Sequence, residues 1–169
     1  MESLNLQEAA ILAEFPFLAP SYYLNSKSAL EKAESWATSQ CSGSGPECIS
    51  ALLNDGKAHA IRHAYWNALN KSSMGNGFTT LLANAHEYGS TKPPSVSQTF
   101  WDLQRTMDLN NNTVGRNFEY TLLNSGDTIW SKLMESINGG EPLTLGLVYI
   151  CNANGPGNET LKLFSQSCP

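Results

Sequence analysis

Apolar and polar positions alternate with helical period along most of the chain. Leu6, Ala9, Ala10 and Ala13 share one helical face behind a capping pair of Asn5 and Glu8, and Pro16 ends that segment. Phe15, Phe17, Leu18, Tyr22 and Tyr23 form an aromatic connector around Pro20, expected to cover core. Ser28 and Glu31 read as a capping box for a helix to about Gln40, followed by a loop from Ser42 to Pro46 and a short helix over Glu47 to Asn54. A long helix carries His59 to Asn70 and ends at Ser72, Ser73 and Gly75; the next runs from Phe78 to Tyr88 and stops at Gly89. Two successive prolines make Lys92 to Val96 a loop.

The helix starting at Ser97, with Phe100, Trp101, Leu103 and Met107 along it, is expected to end at Asp108, and a separate one to cover Val114 to Leu123. Asp127 caps Thr128 to Ile137 ahead of Gly139 and Gly140, and Leu143 to Ile150 is β-branched and aromatic enough for a strand or buried extended segment. Asn152 to Asn158 is turn chemistry. The expected architecture is mainly α: a compact helical bundle, one domain over 1–169, with a short extended or β segment near the C-terminus and its chemistry concentrated in residues 57–119.

Charge narrows the class of partner. The formal net charge is −5, with only ten Lys and Arg, scattered, so a nucleic-acid footprint is not expected. No apolar run is long enough to span a membrane. Residues 9–13 are too short, too interrupted by Glu14 and Pro16, and too poor in preceding basic residues for a secretory signal. Cys41, Cys48, Cys151 and Cys168 lie in Gly/Ser/Pro-rich contexts without the two-residue spacings of zinc sites. Two disulfides are expected; pairing each cysteine with its neighbour in sequence is the local choice, although spacing alone does not fix connectivity. That chemistry implies an oxidising, secreted or periplasmic setting.

All three histidines fall inside the motif region, beside carboxylates and amides. His59 and His63 are four apart on one helical face, with Asn67 a turn further on; His86–Glu87 and Asp108 are expected at the ends of other helices. Converging imidazoles and carboxylates suit a divalent ion that acidifies a water, so His63, His86, Glu87 and Asp108 are the expected ligands and catalytic groups, with zinc or manganese as the ion. Asn67, Asn111, Asn112, Arg116 and Trp66 are expected to bind substrate. Asp108, Asn110, Asn112 and Glu119 also fall at positions 1, 3, 5 and 12 of a calcium-loop pattern, but Thr113 stands where that loop needs Gly, which counts against calcium. In a metal-free alternative, Glu87 is general acid and Asp108 second carboxylate of a lysozyme-like peptidoglycan glycosidase. A non-enzymatic binding or immunity-type protein with a structural polar cluster is the third reading.

The order His, His-carboxylate, Asp resembles all-helical metal-dependent phosphohydrolases, with His–Glu here replacing their adjacent His–Asp pair. The set His63-Ala-Tyr-Trp-Asn-Ala-Leu69, Ala85-His-Glu87 and Met107-Asp-Leu with Asn111-Asn112 and Gly115-Arg116 resembles a bacterial domain of unknown function found in secreted or surface-associated proteins. That resemblance covers about 60 residues and marks His63, Trp66, Asn67, His86, Glu87, Asp108, Asn111, Asn112, Gly115 and Arg116, leaving out His59 and Asn110. Taken together, the expectation is an exported bacterial hydrolase, acting on a cell-envelope substrate or a small phosphoester. An antibacterial effector or toxin with a cognate immunity protein would suit such a domain.

Overall fold

The computed structural model describes residues 4–118, 126–138, 146–151 and 157–168. Among them are six helices: α1 (Leu6–Glu14), α2 (Ala19–Gln40), α3 (Pro46–Leu53), α4 (Lys57–Gly89), α5 (Gln98–Asn117) and α6 (Gly126–Asn138). A 3₁₀ turn over Pro16–Leu18 joins α1 to α2. Strands β1 (Val148–Cys151) and β2 (Thr160–Leu163) form an antiparallel pair with Val148 opposite Leu163 and Cys151 opposite Thr160. The mainly helical class and the short β element match the sequence expectation.

The bundle is built on α4, against which α1, α2, α3, α5, α6 and β1 all pack. Its Ala58, Ala60, Ala64 and Ala68 are buried, and such small side chains let neighbouring backbones come close. Helical geometry breaks at Gly75 (φ 80°, ψ 164°), a conformation open to glycine. His63 and Glu87 each lie twelve residues from that break, and their side chains meet (His63 Nδ1 to Glu87 Oε1, 3.6 Å), so α4 is a helical hairpin. The core gathers Leu12, Tyr22, Ile61, Tyr65, Leu82, Ile129 and Leu133 around it, with Tyr22 against Trp66 and Tyr65 against Trp130.

α1 is tied to the far end of this hairpin by its own cap. Asn5 accepts from the Gln7 and Glu8 amides while its side-chain amide donates to the Ala85 and His86 carbonyls at 2.8 and 3.2 Å. One residue thus serves orphan donors of one helix and late carbonyls of another.

Three local expectations are revised. α2 begins at Ala19, so Ser28 and Glu31 lie inside a helix and cap nothing; Pro20 fits because it falls in the first turn, where no N–H is needed. α5 runs unbroken through Asp108 to Asn117, so neither a helix end at Asp108 nor a calcium loop exists there. Its Asn side chains are drawn into contacts with α4 and β1 instead of capping the backbone. The separate helix expected over Val114 to Leu123 is not formed as such: Val114 to Asn117 are the last turn of α5, capped at Phe118, and 119–123 lie outside the described residues, as do the Gly139–Gly140 stop, the extended start at 143–145 and most of the 152–158 turn.

The C-terminal pair is fastened at several points. Asn111 of α5 imitates a strand edge, accepting from the Val148 N–H at 3.0 Å and donating to the Val148 carbonyl at 2.8 Å. The Ile150 N–H donates to the Asp55 carbonyl. Cys41 bonds to Cys48 and Cys151 to Cys168, the local pairing. No described helix is long and apolar enough to cross a membrane.

Candidate functional site

The first arm of α4 and helix α5 run parallel, and their facing side chains pair at a constant separation of 49 residues. Asp55 accepts from Gln104 (2.9 Å), His59 Nε2 meets Asp108 Oδ1 (3.1 Å), His63 Nδ1 meets Asn112 Oδ1 (3.0 Å), and Arg116 Nη1 donates to Asn67 Oδ1 (3.1 Å). From His59 to Asn67 each rung is one four-residue step along both helices, the spacing that keeps side chains on one face, and Asp55, just ahead of α4, extends the row. The close approach depends on Gly115, where a Cβ would run into the Ala64 carbonyl oxygen.

Within this ladder Asn112 is the hub. Its Oδ1 accepts from Asn67 Nδ2 (2.6 Å), and its Nδ2 donates to Glu87 Oε1 (2.8 Å). Since that Oδ1 is an acceptor, the proton of neutral His63 sits on Nδ1, and the Nε2 lone pair faces the other way. There it meets Asp108 Oδ1 at 3.5 Å and Arg62 Nη2 at 3.4 Å. His59 stacks on His63 with ring centroids 4.7 Å apart; its Nδ1 lies 3.2 Å from the Leu53 carbonyl and 3.4 Å from the Asp55 N–H. Both Nε2 atoms therefore point toward Asp108.

His59, His63 and Asp108 each offer a ligand atom, and all three atoms lie within 4.8 Å of one another. Two imidazoles and a carboxylate with open positions are a donor set for zinc, manganese or ferrous iron. The Nδ1 partners, Asn112 and the Leu53 carbonyl, fix both rings from behind as second partners of metal-bound histidines do.

Electrostatics follow from enclosure. Burial pushes the His63 imidazole down to about 3, so it is neutral at physiological pH. Burial also opposes charge on His59, but the hydrogen bond and charge of Asp108 outweigh it and raise the imidazole above its ordinary value. Asp108 is held below the usual carboxylate range, because His63, His59 and Arg62 more than offset its burial. Glu87 is pushed up to about 7, first by burial and then by the charge of Asp108.

The sequence-predicted ligands divide. His63 and Asp108 fall in the three-residue group, which takes His59 as its third member. Glu87 lies on the Nδ1 side of His63, opposite to Asp108, and is committed to Asn112. His86 turns its Nδ1 to Glu8 Oε1 at 2.9 Å and stands edge-on to Trp66. Glu8 is buried and also accepts from Tyr22 Oη (2.5 Å) and the Asn5 N–H (2.8 Å). The expected substrate-binding residues Asn67, Asn112 and Arg116 belong to the ladder, and Asn111 is fully engaged with β1.

Two cavities meet at this site. A polar chamber of about 170 Å³ is lined by His59, His63, Asp108, Glu87, Arg62 and Arg105, among others. Arg105 was not marked by the sequence motifs; its guanidinium lies over the Tyr88 and Trp101 rings at 5.4 and 5.7 Å, and its buried Nε has no hydrogen-bond partner among the described residues. A larger cavity of about 510 Å³ has Leu12, Tyr22, Ala29, Leu30 and Trp66 in its walls and shares Arg62, His63 and His86 with the chamber.

No curated protein and no solved structure matches the chain. A family model matches residues 12–141, from within α1 to beyond α6, and so spans the whole ladder but not the β pair. The chain belongs to the family described as a domain of unknown function, DUF6973.

Proposed function

We propose that this protein is a metal-dependent hydrolase of phosphoesters whose ion is held by His59, His63 and Asp108. The observation that carries the reading is the convergence of three ligand atoms within 4.8 Å, with both histidines buttressed through Nδ1 so that Nε2 is presented. A bound divalent ion would lower the pKa of a water toward neutrality and so supply a nucleophile. In the net reaction the oxygen of such a water would bond to phosphorus as the bond to the ester oxygen breaks, with the proton lost by the water passing to the leaving oxygen. Glu87, whose carboxyl is pushed up to about 7 and which lines the same chamber, can hold or release a proton near neutrality and is suited to manage that proton. Arg62 and Arg105 supply positive charge in the chamber, which favours a phosphoryl group over a neutral sugar. The two disulfides support an exported protein, and delivery from a bacterium as an effector opposed by an immunity protein belongs to this proposal.

The test is hydrolysis of bis(p-nitrophenyl) phosphate. Chelation should abolish turnover, zinc or manganese should restore it, and Asp108→Asn should remove it by about a hundredfold or more on the scale of a lost ligand. Turnover indifferent to chelator would overturn the reading. A second reading, the peptidoglycan glycosidase with Glu87 as acid, is favoured by the raised Glu87 carboxyl alone. It requires chelator-resistant cleavage of peptidoglycan that Glu87→Gln abolishes.

A further inference from the structure

We infer that the substrate of this site is amphipathic, with its reacting ester in the polar chamber and an apolar arm in the adjoining 510 Å³ cavity. This rests on the proposed hydrolytic centre for the head and on the cavity itself for the arm. A cavity of that volume is in the range that encloses a drug-sized ligand. It is not a separate pocket, because Arg62, His63 and His86 belong to both linings.

Three observations distinguish this space from an ordinary packing gap. Trp66 is 7% exposed and lines the cavity, yet its indole N–H has no partner among the described residues. An unpaired buried donor is costly, so an acceptor oxygen on a ligand is the natural complement. Leu4 and Tyr23, 52% and 51% exposed, also line the cavity, giving it an apolar entrance in contact with solvent. The acidic groups on its lining are Glu8, a buried carboxylate whose oxygens are taken up by Asn5, Tyr22 and His86, and Glu34, which is exposed, so neither offers a free carboxylate to a ligand among the apolar walls. The arm is therefore a hydrocarbon or aromatic group bearing an oxygen near its junction with the head.

Binding of decyl phosphate and ethyl phosphate to the zinc-loaded protein, measured by titration calorimetry, tests this directly. The longer chain should bind at least about tenfold tighter, since each buried methylene strengthens binding roughly fourfold. Ser26→Trp, which fills the cavity from a half-buried position on α2, should erase that chain-length preference while leaving zinc content unchanged. Trp66→Phe, which removes only the N–H donor and a little ring, should weaken decyl phosphate roughly threefold to tenfold. Equal affinity for the two phosphates, or a preference that survives Ser26→Trp, would overturn the inference. Decanol and butanol separate the two layers because they need no ion. Discrimination between the alcohols without any phosphate binding would mean that the hydrolytic reading has failed while the apolar site stands. No discrimination between the alcohols would remove the apolar site whatever the ion does.

Discussion

Asn112 joins most of the site's chemistry in one side chain. It holds the Nδ1 proton of His63, satisfies Asn67 and anchors Glu87, with no exposure to solvent. Asn112→Ala leaves three buried polar groups without this partner, each worth about 1–3 kcal/mol and not additive, so urea denaturation should show a loss of about 3 kcal/mol or more. Glu8 gives the residue scale its pH dependence. Burial would raise its carboxyl, but hydrogen bonds from His86, Tyr22 and Asn5 outweigh burial and hold it below its ordinary 4.5. A carboxylate depressed in the folded state contributes stability that is present above the unfolded value and lost as pH falls through the folded one. Thermal unfolding should therefore lose stability below about pH 4.5, and Glu8→Gln should be less stable at pH 7 with a flatter acid limb.

Among elements, the parallel α4–α5 pair decides whether the site exists. Gly115→Ala places a Cβ against the Ala64 carbonyl and must push the helices apart. A cost of about 2 kcal/mol is expected from overpacking, together with weaker zinc binding, because His63 and Asn112 separate with the helices; calorimetric unfolding and zinc titration read the two effects.

Much of this pair was legible beforehand. His59, His63 and Asn67 recur at steps of four, and so do Gln104, Asp108, Asn112 and Arg116, which is one polar face on each of two helices. The second row was obscured because an Asn-rich run reads locally as a cap or loop, whereas here tertiary partners on α4 and β1 satisfy the amides that would otherwise break the helix. The motif omits His59, yet its spacing from His63 places both rings on one face. Arg105 carried no signal of its own: its setting between Tyr88 and Trp101 depends on how the end of α4 meets α5.

At the scale of the whole molecule, the matched region 12–141 contains all four rungs, while the β pair and the Cys151–Cys168 bond lie beyond it. The tail is nonetheless coupled to the ladder, since Asn111, which clamps Val148, neighbours Asn112 on α5. A bridge across 17 residues restricts the unfolded chain by about 3 kcal/mol in the loop-entropy picture. Cys151→Ser with Cys168→Ser should lower the unfolding temperature by several degrees. Zinc affinity should change little, because the hydrogen-bond partners that orient the two histidines, Leu53, Asp108 and Asn112, lie outside the tail.

The identity of the ligands is the central claim, and elemental analysis of the untagged protein tests it most directly, with His59→Ala, His86→Ala and Asp108→Asn measured beside it. About one equivalent of transition metal is expected in the unmodified protein and in His86→Ala, whose imidazole serves Glu8, and almost none in His59→Ala or Asp108→Asn. A folded protein that takes up no metal, or one that loses it with His86 and keeps it without His59, would contradict the assignment.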